Sequence, residues 1–295
     1  MNFDQKQLAT LAAIIEEESF DAAATKLFIT QSAVSQRLRQ LESSVGQTLI
    51  IRSSPPKLTD AGHAVLRFYQ QTTLLQKELL NSLNQNADFD RQTLSIGVNA
   101  DSLATWLFDA LKPLLDSNKL LIDIKVDDQD NTRELLTKGE VIGCITSDSA
   151  PIQGCNSFSL GVMRYRCLVS PDFKHQFFKD GVTQQAMLEA PAVQFNNKDE
   201  LQSLYMKTLF QDRNIGLRHR IPSTESYLEF IRRGYAWGMV PDVQSQPLLT
   251  TQQVTELIPG QYLDIPLYWH IWNLKTELNK ELTDRIIHHA HSVLN

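Results

Sequence analysis

Gln31, Ser32, Ser35, Gln36 and Arg39 fall at intervals that place them on one face of a helix. Glutamine and arginine side chains form paired hydrogen bonds with adenine and guanine edges in the major groove of DNA. Serine hydroxyls and the amides of a helix start suit phosphate. Thr30 precedes the run and is a good N-cap, and Thr30 and Arg37 join the expected DNA-binding set. Arg52 and Lys57 bracket the turn-forming run Ser53-Ser54-Pro55-Pro56, where they would touch phosphates next to the groove. The chemistry these residues offer is recognition of double-stranded DNA.

Other reactive side chains form no constellation. The chain contains no G-x-S-x-G, H-E-x-x-H or Walker run, so no enzymatic activity and no cofactor are expected. His288 and His291 sit at i and i+3 without a cysteine or carboxylate partner nearby, and no metal site is expected. Cys144, Cys155 and Cys167 form no C-x-x-C pair and no even framework. Only Cys167 has a base beside it, Arg166, so a thiol switch is a secondary possibility.

The DNA-facing residues need elements to hold them. Gln5 to Glu18 reads as a helix with an apolar stripe at Leu8, Leu11, Ala12 and Ile15. Ser19 can cap a second, alanine-rich helix whose small residues allow a close crossing. Phe28-Ile29-Thr30 breaks the pattern. The third helix buries Val34, Leu38 and Leu41 and presents the polar face. A short helix, a three-residue turn and a polar-faced second helix make a helix-turn-helix. A solvated amphipathic helix would look similar, but the next segment argues for the DNA reading. Thr48 to Arg52 is β-prone, a turn follows, and Leu58-Thr59 leads into another helix: a strand-turn-strand wing.

From Thr59 to about Asn86 there is no proline, and Gly62 is the sole glycine. Ala61, Val65, Phe68, Thr72, Leu75, Leu79 and Leu83 follow spacings of 4, 3, 4, 3, 4 and 4, close to a heptad seam. A rod of roughly 42 Å has too little partner surface within one small domain. Pairing with a second copy is the economical expectation, and a two-fold dimer implies an inverted-repeat operator.

The ordered run Ala22-Ala23-Ala24, Leu27, Thr30 to Leu38, Leu41-Glu42, Gly46, Leu49, Arg52, Leu58-Thr59 and Gly62 resembles the LysR-type transcriptional regulator family. Val98 to Trp106, Gly139 to Gly143, Leu267 to His270 and the double proline Pro55-Pro56 resemble its ArgP/LysG branch. The resemblance spans essentially the whole chain. It implies a homodimer or homotetramer that binds DNA, with RNA polymerase as a possible contact. It further implies a sensor domain responding to a basic amino acid, L-lysine or L-arginine, and control of amino-acid export or metabolism.

Beyond Asp88 strands and helices alternate, which predicts a mainly parallel sheet with helices on both faces. The expected fold is α/β: a winged helix-turn-helix at 1–58, a linker helix at 59–88, and two periplasmic-binding-protein-like lobes. Lobe I takes 89–163 plus 268–295, and lobe II takes 164–267. In such sheets ligands bind beyond the carboxyl ends of strands. That rule selects Asn99, Asp101, Ser102, Asp127, Asp128, Thr146 and Ser147 in lobe I, and Asn196, Thr224 and Glu225 in lobe II. Hydroxyls and helix amides suit a carboxylate. Asp101, Asp127, Asp128 and Glu225 suit an ammonium or guanidinium. A free basic amino acid carries both kinds of group, although this list does not separate lysine from arginine.

The 295 residues carry a net charge of −6, yet Lys26 to Arg67 holds six bases against two acids, or +4. The remainder therefore carries −10, so a cationic island stands in an acidic protein, which suits specific DNA contact. An architectural, nucleoid-type DNA-coating protein is the alternative, and the acidic balance opposes it. A different metabolite or a redox signal is the other. Met1 to Thr10 is polar and no apolar run nears a membrane span, so a cytoplasmic protein without membrane contact is expected.

Overall fold

The structure, a computed structural model, describes residues 3–83, 92–117, 120–126 and 129–294. Three helices open the chain: α1 (Gln5–Glu16), α2 (Phe20–Lys26) and α3 (Gln31–Val45). Each starts where a side chain accepts from an amide of its first turn: Asp4 from Lys6, Ser19 from Ala22 and Thr30 from Ala33. These caps satisfy donors that no helical carbonyl reaches. Leu8, Leu11, Ile14, Ala23, Val34, Leu38 and Leu41 close one core beneath them. Gly46, at φ 78°, ends α3 in the left-handed region that glycine enters without steric cost.

The wing is β1 (Ile50–Ile51) paired antiparallel with β2 (Lys57–Leu58). Then α4 (Asp60–Leu83) runs out from the winged domain. A Cβ at Gly62 would lie 2.1 Å from the Leu49 carbonyl oxygen, so only glycine lets α4 start this close to the wing. The first half of α4 is anchored on its own chain through Val65 and Tyr69. Further along, Phe68, Leu75, Leu79 and Leu83 are exposed, the last by 69%. The part of the expected seam beyond Val65 is therefore largely uncovered within one chain.

The remainder contains β3 (Gln92–Val98), α5 (Ala100–Thr105), α6 (Leu107–Asp116), β4 (Leu120–Val126), α7 (Gln129–Lys138) and β5 (Gly143–Thr146). Next come β6 (Cys155–Val169), α8 (Pro171–Phe178), α9 (Gln184–Glu189), β7 (Ala192–Gln194), α10 (Leu201–Phe210), β8 (Arg218–Arg220) and α11 (Thr224–Arg232). The chain closes with β9 (Gly238–Pro241), α12 (Asp242–Thr250), β10 (Thr255–Glu256), β11 (Tyr262–Trp272) and α13 (Glu277–Val293).

The main sheet is mixed rather than mainly parallel. β3 pairs parallel with β4 and β5, but β11 pairs antiparallel with both β5 and β6, and β6 antiparallel with β9 and β10. The long β6 and β11 cross from one lobe to the other, and their pairing makes the spine between the lobes. α5 and α6 are separate helices because the backbone breaks at Trp106 (φ −122°), whose ring is buried. All four tryptophans are buried in one core that runs through both lobes. Gly143 is required there, since a Cβ would meet the Trp269 ring at 2.4 Å.

The linker helix also touches lobe I. Arg67 Nη1 donates to the Thr137 carbonyl oxygen at 2.9 Å, and His63 Nδ1 lies 3.2 Å from that of Lys138. Both carbonyls end α7, where unpaired helix acceptors welcome cations and donors.

Candidate functional site

Two surfaces gather the chemistry. On α3, Gln31, Ser32, Gln36 and Arg39 are exposed, as is Thr30 before them, while Ser35 and Arg37 are half-buried. Ser32, Gln36 and Arg39, spaced four and three apart, form a stripe opposite Val34, Leu38 and Leu41, with Gln31 and Ser35 along its margin. Thr30 and Ser32 hydroxyls lie 3.0 Å apart, which fixes the polar start of the helix. Arg52 and Lys57 are exposed on the wing. None of Arg37, Arg39, Arg52 and Lys57 pairs with an acid among the described residues. Phe28 precedes this helix with φ 55° and is 95% exposed, making the turn between α2 and α3 protrude.

The second surface is a cavity of about 780 Å³ between the lobes. Asn99, Asp101 and Ser147 line it from lobe I, and Asn196 and Thr224 from lobe II. The strand-end rule thus brings five of its chosen residues to one wall. Three others do not line the cavity. Ser102 and Thr146 are fully buried behind it, with Thr146 Oγ1 accepting from the Asp148 amide, and Glu225 is exposed on the outside of α11. Asp127 and Asp128 lie outside the described residues.

Asp101 stands at the start of α5 with its carboxylate deeply enclosed. Tyr165, on the crossing strand β6, donates a 2.7 Å hydrogen bond to Asp101 Oδ2. Burial pushes the Asp101 carboxyl up to about 6, against the stabilising Tyr165 bond and with help from the charge of Asp199. Burial also raises the Tyr165 hydroxyl, so it remains a donor. Asn99 Oδ1 and Ser102 Oγ are buried near this carboxylate and receive no hydrogen bond from a described residue.

Asp199 is a wall residue that strand ends do not select. It lies on the loop between β7 and α10, where Asn196 Oδ1 accepts from the Lys198 and Asp199 amides at 2.7 and 3.1 Å. Asp199 in turn accepts from the amides of Phe195 and Leu201 at 2.9 and 3.1 Å. The signal available in the sequence was the Asn-x-x-Asp spacing, which folds a loop upon itself. Lys198, Glu200 and Tyr227 share the wall. The Tyr227 hydroxyl is held by Gln202 Nε2 at 2.8 Å and donates to the Val193 carbonyl oxygen at 3.0 Å.

The cysteines do not suit a redox sensor. Burial pushes the Cys144 thiol up to about 12 and the Cys155 thiol to about 11, and also raises Cys167. A reactive cysteine needs the opposite shift. Arg166, adjacent to Cys167 in sequence, is committed to Asp242 and Glu256. No helix among the described residues is long and apolar enough to cross a membrane.

Two family profiles match the chain: "Bacterial regulatory helix-turn-helix protein, lysR family" at residues 5–63, and "LysR substrate binding domain" at residues 87–289. The HTH-type transcriptional regulator ArgP of Pseudomonas aeruginosa is 40% identical over 291 residues, covering 98% of this chain and 96% of that one. The crystal structure of ArgP from Mycobacterium tuberculosis superposes with a TM-score of 0.89 at 36% identity, covering 100% of this chain and 99% of that one. Full-length LysG from Corynebacterium glutamicum, with the effector arginine bound, superposes with a TM-score of 0.80 at 32% identity, covering 99% and 100%.

Proposed function

The chain belongs to the LysR family of bacterial transcriptional regulators, and from that membership we propose that its inter-lobe cavity senses a free basic amino acid, L-lysine or L-arginine. The family consists of DNA-binding, effector-responsive oligomers, not enzymes. The observation that carries the effector reading is the meeting of Asp101 and Asp199, carboxylates from opposite lobes, on one cavity wall. The charge of Asp199 disfavours ionisation of Asp101, and a cation bound beside both relieves that repulsion. An ammonium or guanidinium makes charge-assisted bonds with such a pair. The arginine-bound LysG relative supports the same chemistry.

The roles divide along the ligand. Asp101 and Asp199 take a cationic group. Asn99 Oδ1 is a further acceptor for an ammonium. Thr224, Ser147 and Lys198 supply donors for the carboxylate. Because the wall comes from both lobes, a bound amino acid ties them together and favours one lobe arrangement. A ligand shifts an equilibrium only by its differential affinity for the two states. On DNA, Thr30, Gln31, Ser32, Ser35, Gln36, Arg37 and Arg39 read or position an inverted-repeat operator, with Arg52 and Lys57 on its backbone. Such a regulator works in the cytoplasm beside RNA polymerase, on genes for amino-acid export or metabolism. The domain division is 1–58, 59–88, then lobe I at 89–163 plus 268–295 and lobe II at 164–267.

Asp101→Asn tests the effector site. It keeps the shape and removes the charge, so it should weaken binding of L-lysine and L-arginine at least tenfold while leaving operator affinity intact. An unchanged affinity for both amino acids would remove the carboxylate pair from the site.

A further inference from the structure

Among the described residues, the Asp101 carboxylate receives one hydrogen bond, the 2.7 Å bond from the Tyr165 hydroxyl to Oδ2. No lysine or arginine among them pairs with it. The titratable groups that face it are Tyr165 from β6, Asp199 from the loop before α10 and Tyr227 from α11, all of them neutral or negative. Lys198 and Glu200, on the same loop as Asp199, also line the cavity. An enclosed carboxylate with a single donor and no cation is expensive to keep charged.

The sheet fixes that donor. Tyr165 is fully buried on the crossing strand β6, and its backbone lies opposite Pro241 of β9 on one side and Leu263 of β11 on the other. Its ring packs in the core that runs through both lobes. The hydroxyl therefore reaches Asp101 from behind, while Asp101 itself lines the cavity. A buried tyrosine needs an acceptor, but an asparagine or a backbone carbonyl would satisfy it without the cost of a charge. The pairing of this phenol with an ionisable group on a ligand-facing wall asks for a further role.

We infer that Tyr165 is a positioning residue for the effector: its hydroxyl keeps Asp101 charged and aimed as an acceptor for the cationic group of a basic amino acid. The inference rests on the basic-amino-acid reading of the cavity. Without the hydroxyl the carboxyl keeps its proton to higher pH, and a protonated carboxyl presents a donor where the ligand needs an acceptor. The Tyr165 bond lowers the Asp101 titration against the effect of burial, so its removal moves that titration upward from about 6.

The test is the pH profile of L-lysine and L-arginine binding to the full-length protein, by isothermal titration from pH 5.5 to pH 8.5. Wild type, Tyr165→Phe and Asp101→Asn are measured side by side, so that ionisation of the ligand itself cancels. Wild-type affinity should rise with pH and level off above pH 7. Tyr165→Phe should displace this rise upward by about one pH unit, binding about fivefold more weakly at pH 6 and less than twofold more weakly at pH 8.5. Replacement of Tyr165 by 3-fluorotyrosine, a more acidic phenol of nearly the same shape, should displace it downward. A Tyr165→Phe profile that coincides with wild type, or lies below it by a constant factor at every pH, would overturn the proposal and leave the effector reading standing. Should Tyr165→Phe lack a cooperative thermal transition, the fluorotyrosine variant decides alone, and an unmoved profile overturns the proposal. Binding of neither amino acid by wild type, or affinity in Asp101→Asn equal to wild type, would overturn the effector reading and the proposal together.

Discussion

Arg39 stands exposed near the middle of α3 with no acid against it, so its guanidinium is available to a base edge. Arg39→Ala should cost about 1–3 kcal/mol of operator binding, relaxing specificity at one position. A gel-shift titration giving unchanged affinity would take Arg39 out of the reading face. Asp101 carries the pH dependence. Its native carboxyl titrates at about 6 against an ordinary value of 3.8, so the folded state holds its proton more tightly than the unfolded chain. Stability of the ligand-free protein therefore falls as pH rises from about 4 to about 6, by up to about 3 kcal/mol. A bound cation offsets that cost. The rise in thermal midpoint given by L-arginine should be larger at pH 7.5 than at pH 5. An equal rise at both values would separate Asp101 from the effector. Asp101 was legible in the sequence because it follows a strand end, and so were Asn99, Ser147, Asn196 and Thr224. Asp199 was not, because loop hydrogen bonds rather than a strand place it. Glu225 follows a helix cap like Thr224, but helical geometry turns it outward.

At the scale of elements, local signals were readable where they were chemical. Ser19 and Thr30 cap α2 and α3 as their types require, and α13 begins after Thr276 in the same way. The crossing strands were harder. The first half of β6, from Cys155 to Arg164, is largely half-exposed and begins with polar residues, so its sequence marks a strand weakly. β11 contains Pro266 and shifts register between Leu267 and Tyr268, which hid its first residues. The parallel expectation failed because β6 and β11 pair antiparallel along their whole length, with each other and with β5, β9 and β10. α4 was legible from its spacing, and its exposed Phe68, Leu75, Leu79 and Leu83 form the face proposed for another subunit. Leu79→Glu with Leu83→Glu should lower the mass seen by analytical ultracentrifugation and weaken operator binding. Full retention of the oligomer would place the contact elsewhere.

Across the whole molecule, charge and connectivity serve the same end. The +4 island between Lys26 and Arg67 sits in a chain of net charge −6, so non-specific attraction to DNA is small and the operator must supply specific contacts. Contacts also link lobe I to the winged domain. α7 follows Val126, which lines the cavity, and ends on Arg67 and His63 of α4. α4 in turn packs on the core beneath the DNA face. Everything then depends on what the cavity takes. The most direct test is isothermal titration of the full-length protein with L-lysine and L-arginine at pH 7.5, with L-leucine and L-glutamate as controls. Saturable heat from a basic amino acid, and none from the controls, is the predicted result. Saturable binding of leucine or glutamate, or no binding of either basic amino acid, would contradict the assignment.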